Sequence, residues 1–118
     1  MLPKVIPLNP KSTVFVAKVE GVSLAKPINS ETVEALLNAL DTFAVLVFPN
    51  QVLTDEQHIR FSRYFGELEL ATGDYMKHDD RRLQMELNDI SNLDRTGGKM
   101  DAADPKRLFS LGNMLWHS

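Results

Sequence analysis

An α+β fold is what this 118-residue chain predicts. Three observations carry that expectation. Short apolar runs rich in β-formers stand at 13–22 and 43–48. A capped, amphipathic helical stretch follows each of them. The second half of the chain then drops the helical periodicity altogether. A β-α-β-α opening by itself would suggest a parallel doubly wound sheet, but the loss of helices after residue 66 favours α+β.

The first predicted strand is "TVFVAKVEGV", 13–22, whose alternation over Val14, Val16 and Lys18 is interrupted by Phe15 and Ala17. Apolar side chains at both parities predict burial on both faces. Asn29 and Ser30 then offer helix N-caps, and Glu31 places an anion in the first turn, where the helix dipole favours it. Val33, Leu36, Leu37 and Leu40 follow at i, i+3, i+4 and i+7, one apolar stripe of an amphipathic helix. "FAVLVF", 43–48, is too short for a helix of its own and is closed by Pro49-Asn50, so it predicts a buried strand. Thr54-Asp55-Glu56-Gln57 has the capping-box pattern and opens a second helix to about Phe65, with Gly66 as its C-cap. Phe61 and Phe65, four apart, mark its inner face.

Beyond Gly66 the pattern weakens. Residues 71–82, "ATGDYMKHDDRR", are polar with mixed charge and predict a loop. Residues 87–93 predict a strand. Residues 94–107 predict a long loop from Gly97-Gly98, Pro105 and the charges, and a loop of that length is uncommon unless it is functional or disordered. Residues 108–117 predict a final strand. No internal repeat or low-complexity tract is present.

Composition limits the function classes. Hydrophobic content of 43% and charged content of 25% are ordinary for a soluble globular chain of one small domain. The net charge of −3 gives no basic signature for nucleic acid or an anionic membrane. Cys is absent, which excludes disulfides, thiolate metal sites and a Cys nucleophile. There is no membrane-length apolar run. "MLPKVIPLNPKS" lacks the apolar stretch of a signal peptide. A cytoplasmic location is the default expectation.

Three histidines remain as candidate chemistry. His117 lies on the last predicted strand, "LFSLGNMLWHS". A His followed two residues later by a carboxylate puts both on one strand face. With a second, distant His they make the facial triad that holds Fe(II) and leaves three positions open. The chain supplies one of the three, so by the residues alone His117 reads as a polar residue at a frayed end rather than a metal ligand. His58 reads as a helix-face residue. His78, among Lys77, Asp79 and Asp80, reads as a solvated loop residue.

A resemblance adds to this. Residues 45–69, "VLVFPNQVLTDEQHIRFSRYFGELE", resemble the opening segment of the taurine dioxygenase and 2,4-dichlorophenoxyacetate dioxygenase (TauD/TfdA) family: a strand ending in VLVF, a Q-x-L link, a capped helix, then F-G-x-L. "NDISNLD", a glycine-bearing loop and "GNMLWHS" resemble the family's later ISN strand and its N-x-x-W-H-x-D metal strand. The order and spacing agree over 14–118, nearly the whole chain.

The resemblance implies a double-stranded β-helix, or jelly roll, flanked by helices, of which 1–118 is a single incomplete N-terminal portion. It implies Fe(II) and 2-oxoglutarate as cofactor and co-substrate, and hydroxylation of a small anionic substrate with succinate and CO2 as co-products. His117 falls on the family's first metal-binding His. Asn113 falls on an Asn near substrate and co-substrate. A flat strand separates Asn113 from His117 by about 13 Å at ~3.3 Å per residue, and Gly112 is placed to let it bend. Trp116 points to the opposite face and reads as packing. Tyr75, Lys77 and His78 fall where the family places substrate contacts. Residues 71–74 do not reproduce the His and Tyr that recognise a sulfonate, which puts taurine itself in doubt. Lys77, Arg81 or Arg82 remain candidates for an anionic head group, beside the plainer reading of a solvated charge run.

The partners implied are a small-molecule substrate and O2, with no nucleic acid and no membrane; a homo-oligomer of the full-length protein stays open. The metal carboxylate, the second metal His, and the Thr and Arg that bind 2-oxoglutarate have no counterpart within these residues. The chain alone is therefore expected to be inactive and to present open, apolar strand edges. Two other readings stand beside this one: a truncated, non-catalytic paralogue acting as a binding module, and a small α+β domain unrelated to iron.

Overall fold

A computed structural model of the protein describes residues 2–70 and 81–111, apart from the side chains of Ser12, Thr13, Phe109 and Ser110. The chain forms two compact units, 1–68 and 69–118.

The first unit contains β1 (Lys4–Asn9), β2 (Ser12–Glu20), α1 (Ser30–Thr42), β3 (Val45–Val47) and α2 (Asp55–Arg63). Its three strands form one mixed sheet in the order β1-β2-β3. β1 and β2 are an antiparallel hairpin, with Lys4 opposite Glu20 and Asn9 opposite Ser12. β2 and β3 run parallel, Val16 to Lys18 against Val45 to Val47, with α1 as the crossover between them. The α+β expectation therefore holds, but the sheet is mixed and includes a strand that the sequence reading did not anticipate.

β1 has a recognisable signal. Asn9-Pro10-Lys11-Ser12 is a turn tetrapeptide, and the Asn9 side chain accepts a hydrogen bond from the Lys11 amide at 3.0 Å. Pro7 within the preceding run marks an edge strand rather than excluding one, because an edge position tolerates a missing donor, and β1 lies at the edge of the sheet. The register slips between Pro7 and Asn9.

β2 is not buried on both faces. Ala17 and Val19 are buried, whereas Val14 and Phe15 are about three-fifths exposed. The reason is register: β3 pairs only with residues 16–18, so Val14 and Phe15 extend past it along the hairpin. β3 is shorter than the predicted 43–48, and its Val45 and Val47 are exposed, not buried. Among the described residues it is an edge strand with β2 as its neighbour.

α1 begins where its caps predict. The Asn29 side chain accepts from the Thr32 amide at 2.8 Å, and the helix ends with the Phe43 amide bonded to the Ala39 carbonyl at 2.8 Å. The buried line is Thr32, Leu36 and Ala39, and Leu37 and Leu40 are left exposed. The predicted stripe thus shares only Leu36 with the buried line. The inward face of α1 is set by the sheet it crosses, and small Thr32 and Ala39 suit close packing.

α2 carries the predicted capping box. The Gln57 amide donates to Thr54 Oγ1 at 3.2 Å and the Thr54 amide to Gln57 Oε1 at 2.9 Å. The helix stops at Arg63 with Tyr64 as C-cap, two residues before the predicted end. Its last turn tightens into i→i+3 bonds from Tyr64 to Phe61, Phe65 to Ser62 and Gly66 to Arg63. Gly66 follows with φ of +142°, a conformation that L side chains rarely adopt. Ile59 is the buried residue of α2. Phe61 packs edge-to-face on both Phe48 and Phe65, at centroid distances of 5.4 and 5.2 Å.

Segment 21–29 lies over this unit and is held by side chains. Gln51 accepts from the Leu24 amide at 2.9 Å and donates to the Val22 carbonyl at 3.1 Å. Tyr64 Oη accepts from the Ile28 amide at 3.0 Å, and Arg60 Nη2 donates to the Ala25 carbonyl at 2.6 Å. Buried Leu24 sits within this stitched segment.

The second unit contains α3 (Pro105–Ser110). One strand prediction fails here, and the start of another. Residues 87–93 are irregular backbone with bends at 87, 91 and 92, and a single bridge pairs Leu93 with Lys99. Residues 108–110 belong to α3 and Leu111 continues it as a 3₁₀ turn, not a strand; the remainder of the predicted strand, 112–117, lies outside the described residues. Pro105 starts α3 at the position that tolerates proline, behind Asp104, whose carboxylate accepts from the Lys106 amide at 2.9 Å.

Candidate active site

The five candidate residues lie outside the described residues: Tyr75, Lys77 and His78 in 71–80, Asn113 and His117 in 112–118, the latter together with Gly112 and Trp116. The described stretch between them, 81–111, joins the two candidate segments, and its geometry is built from polar contacts.

Arg82 and Asp89 form a two-pronged pair. Nε donates to Oδ2 at 3.0 Å and Nη2 to Oδ1 at 2.9 Å. Both side chains are mostly shielded, at 28% and 22% exposure. The Ser91 hydroxyl donates to Asp89 Oδ1 at 2.7 Å, and the Leu93 amide donates to Ser91 Oγ at 3.2 Å. The Arg82 guanidinium, before Ser91, holds the Asp89 carboxyl below the ordinary carboxylate value. Arg81 turns to the backbone as well, with Nη2 donating to the Leu87 carbonyl at 2.7 Å. Neither arginine is part of a solvated charge run, and the Arg82 fork faces Asp89.

The relay continues into a closed turn. The Asp94 amide donates to the Gly98 carbonyl at 2.7 Å, and the Met100 amide to the Asn92 carbonyl at 2.7 Å. Asp94 Oδ1 accepts from the Thr96 hydroxyl at 2.6 Å, the Thr96 amide at 2.8 Å and the Gly98 amide at 3.1 Å. The Thr96 hydroxyl is the main cause that lowers the Asp94 pKa. Gly97 takes the positive φ, +87°, that this turn requires. The predicted long loop is therefore locally organised, by Asp94, then Asp101, whose carboxylate accepts from the Ala103 amide at 2.9 Å, then Asp104.

Among the described residues no three His, Cys, Asp or Glu side chains converge to hold a metal ion. His58 is an exposed residue of α2, as its place on the helix suggested. The described residues thus form no metal centre. Nor is any helix among them long and apolar enough to cross a membrane. The residues that sequence reasoning missed are Gln51 and Asp89; Arg82 was singled out as a candidate for an anionic head group, and its partner is Asp89. Gln51 lies in the Q-x-L link already singled out by resemblance, while a pair seven apart outside any helix leaves no periodic signal.

Comparison with known proteins places this scaffold. The model of the family described as "Taurine catabolism dioxygenase TauD, TfdA family" matches residues 4–118. The alpha-ketoglutarate-dependent 2,4-dichlorophenoxyacetate dioxygenase of Cupriavidus pinatubonensis is 36% identical over 114 residues, covering 93% of this chain and 38% of that protein. The (S)-phenoxypropionate/alpha-ketoglutarate-dioxygenase of Sphingobium herbicidovorans is 33% identical over 111 residues, covering 92% of this chain and 33% of that one. Among solved structures, AAD-2 in complex with Mn(II) and N-oxalylglycine superposes on all of this chain and 40% of its own, at 41% identity and a TM-score of 0.82. A taurine dioxygenase from Burkholderia xenovorans matches 62% of this chain and 25% of its own, at 34% identity and a TM-score of 0.56.

The chain therefore belongs to the TauD/TfdA family and has the fold of the N-terminal portion of its jelly-roll dioxygenases. It spans less than two-fifths of the length of the curated relatives it matches.

Proposed function

We propose that these residues are the N-terminal portion, one incomplete domain, of an Fe(II)- and 2-oxoglutarate-dependent dioxygenase. It hydroxylates a small anionic substrate, aryloxyalkanoate-like or a sulfonate, and releases succinate and CO2. The observation that carries this reading is the family match over 4–118, which includes the N-x-x-W-H segment. The names of the relatives support 2-oxoglutarate dependence, and the N-oxalylglycine complex of AAD-2 supports a pocket for a small dicarboxylate beside a divalent metal.

In this reading His117 contributes a neutral imidazole to the metal, and the remaining ligands come from residues beyond these 118. Iron, when bound with 2-oxoglutarate, supplies the oxidising chemistry. Asn113 contributes an amide to substrate and co-substrate. Tyr75, Lys77 and His78 orient the substrate, with the Lys77 ammonium balancing its anionic group. The location proposed is the cytoplasm.

The test is succinate release by the full-length protein supplied with Fe(II), 2-oxoglutarate and O2, using 2,4-dichlorophenoxyacetate, phenoxypropionate and taurine in turn. Activity on an aryloxyalkanoate, abolished by chelation and by His117→Ala, is expected. No succinate from any of the three would overturn the reading. Residues 1–118 alone are expected to release none.

A further inference from the structure

We propose that residues 21–29 form a strap latched by side chains of 51–64, and that strap and α2 open and close together as one conformational unit; the dioxygenase reading is not needed for it.

Three observations carry it. The strap leaves β2 at Gly21, whose φ is +84°, and ends at Asn29, the N-cap of α1. Between these points the backbone is neither helix nor strand, so no ladder satisfies its part-buried amides and carbonyls. Side chains do so instead. The Leu24 amide donates to Gln51 Oε1 at 2.9 Å, and Gln51 Nε2 donates to the Val22 carbonyl at 3.1 Å. Arg60 Nη2 donates to the Ala25 carbonyl at 2.6 Å, and the Ile28 amide donates to Tyr64 Oη at 3.0 Å. Next, these four bonds share one pattern. Each has its backbone group on the strap and its side chain on 51–64, across 27 to 36 residues of chain. A segment stitched to a single distant partner shares that partner's fate. Bringing the two ends of such a loop together costs entropy once, and the first bond formed lowers that cost for the rest, so the four form and break as a set. Finally, both halves carry a buried apolar side chain, Leu24 on the strap and Ile59 on α2. Opening exposes that surface, which makes the latched form the ground state.

Gln51 is the latch that chemistry can switch. Its amide accepts from Leu24 and donates to Val22, with the Pro49 carbonyl also near, at 3.4 Å. A carboxylate accepts but cannot donate. Gln51→Glu keeps the size of the side chain and sets a negative charge against two carbonyl oxygens. Those carbonyls disfavour the charged form, so the new carboxyl titrates higher in the folded chain than in the unfolded one. The latch is then intact below the ordinary carboxylate value and is lost as pH rises through the raised folded value.

The experiment is amide hydrogen exchange on the full-length protein, wild type beside Tyr64→Phe and Gln51→Glu. It is read by mass spectrometry on peptides covering 21–29, α2 and the β1-β2 hairpin. Tyr64→Phe removes one hydroxyl and no apolar volume, so the fold is retained. The expected result is exchange about ten-fold faster in both 21–29 and α2, with the hairpin within about two-fold of wild type. Gln51→Glu should accelerate the same two segments at pH 7 and approach the wild type measured at the same pH below about pH 4. Acceleration confined to 21–29 would overturn the proposal, as would no change in either segment. Equal acceleration of the hairpin would do the same, since that is the mark of global destabilisation. A Gln51→Glu effect that does not vary with pH would remove Gln51 from the latch, and the proposal with it. None of these readouts uses activity, so a wild type inactive on every substrate would remove the dioxygenase reading and leave this result standing.

Discussion

Asp89 meets Arg82 through both oxygens and receives the Ser91 hydroxyl as well, so its charged form is favoured in the folded chain. Its pKa is lowered on folding, first by the hydrogen bond from Arg82. The unfolded chain then binds the proton more readily than the folded one. The contribution of the pair is fully present above the ordinary carboxylate value and is lost as pH falls through the lowered folded value. Urea unfolding from pH 7 downward should show wild type more stable than Asp89→Asn by about 1–3 kcal/mol at neutral pH, with the gap closing below about pH 4. A gap that is constant with pH would show that the charge of Asp89 is immaterial. Asp94 is also lowered, but its partners are its own turn, so Asp94→Ser should leave unfolding nearly unchanged while loosening 94–98 in amide exchange.

At the scale of elements, α2 starts on a reciprocal cap and α1 is anchored by one fully buried leucine. Thr54→Ala removes the acceptor for the Gln57 amide and should cost about 1 kcal/mol, with Thr54→Ser restoring most of it. Leu36→Ala empties a site at 0% exposure between α1 and the sheet. It should cost about 2–5 kcal/mol, against less than about 1 for Leu37→Ala, because Leu37 is two-fifths exposed. The comparison of the two neighbours, read by urea midpoints, discriminates the observed buried line from the predicted stripe; equal losses would return Leu37 to the core. The helix starts were legible because caps are local chemistry, written within four residues. The helix faces were not, because Leu36 and Leu37 are chemically identical and only the crossing of α1 over the sheet separates them.

For the whole molecule, the three-stranded sheet leaves Val14, Phe15, Val45 and Val47 exposed around a hairpin and an edge strand. Exposed apolar strands recruit other strands. The isolated 118-residue polypeptide should therefore show a scattering mass that rises with concentration, and Phe15→Lys should lower it. A monomer at all concentrations would mean that this surface is satisfied within the chain.

Read by itself, the sequence determined local events: where α1 and α2 begin, that the runs holding β2 and β3 are extended, and which family the N-x-x-W-H and F-G-x-L segments belong to. These are properties of neighbouring residues, carried by caps, periodicity and motif spacing. Tertiary structure decided what depends on distant partners. β1 became a strand because β2 pairs with it despite Pro7. Val14 and Phe15 stayed exposed because β3 stops at residues 16–18 of its neighbour. Residues 87–93, expected as a strand, became a braced irregular segment because Asp89 found Arg82 and Ser91 found both Asp89 and Leu93. A strand needs a ladder as well as a pattern, and a buried face needs something to cover it; neither is written in the residues that require it.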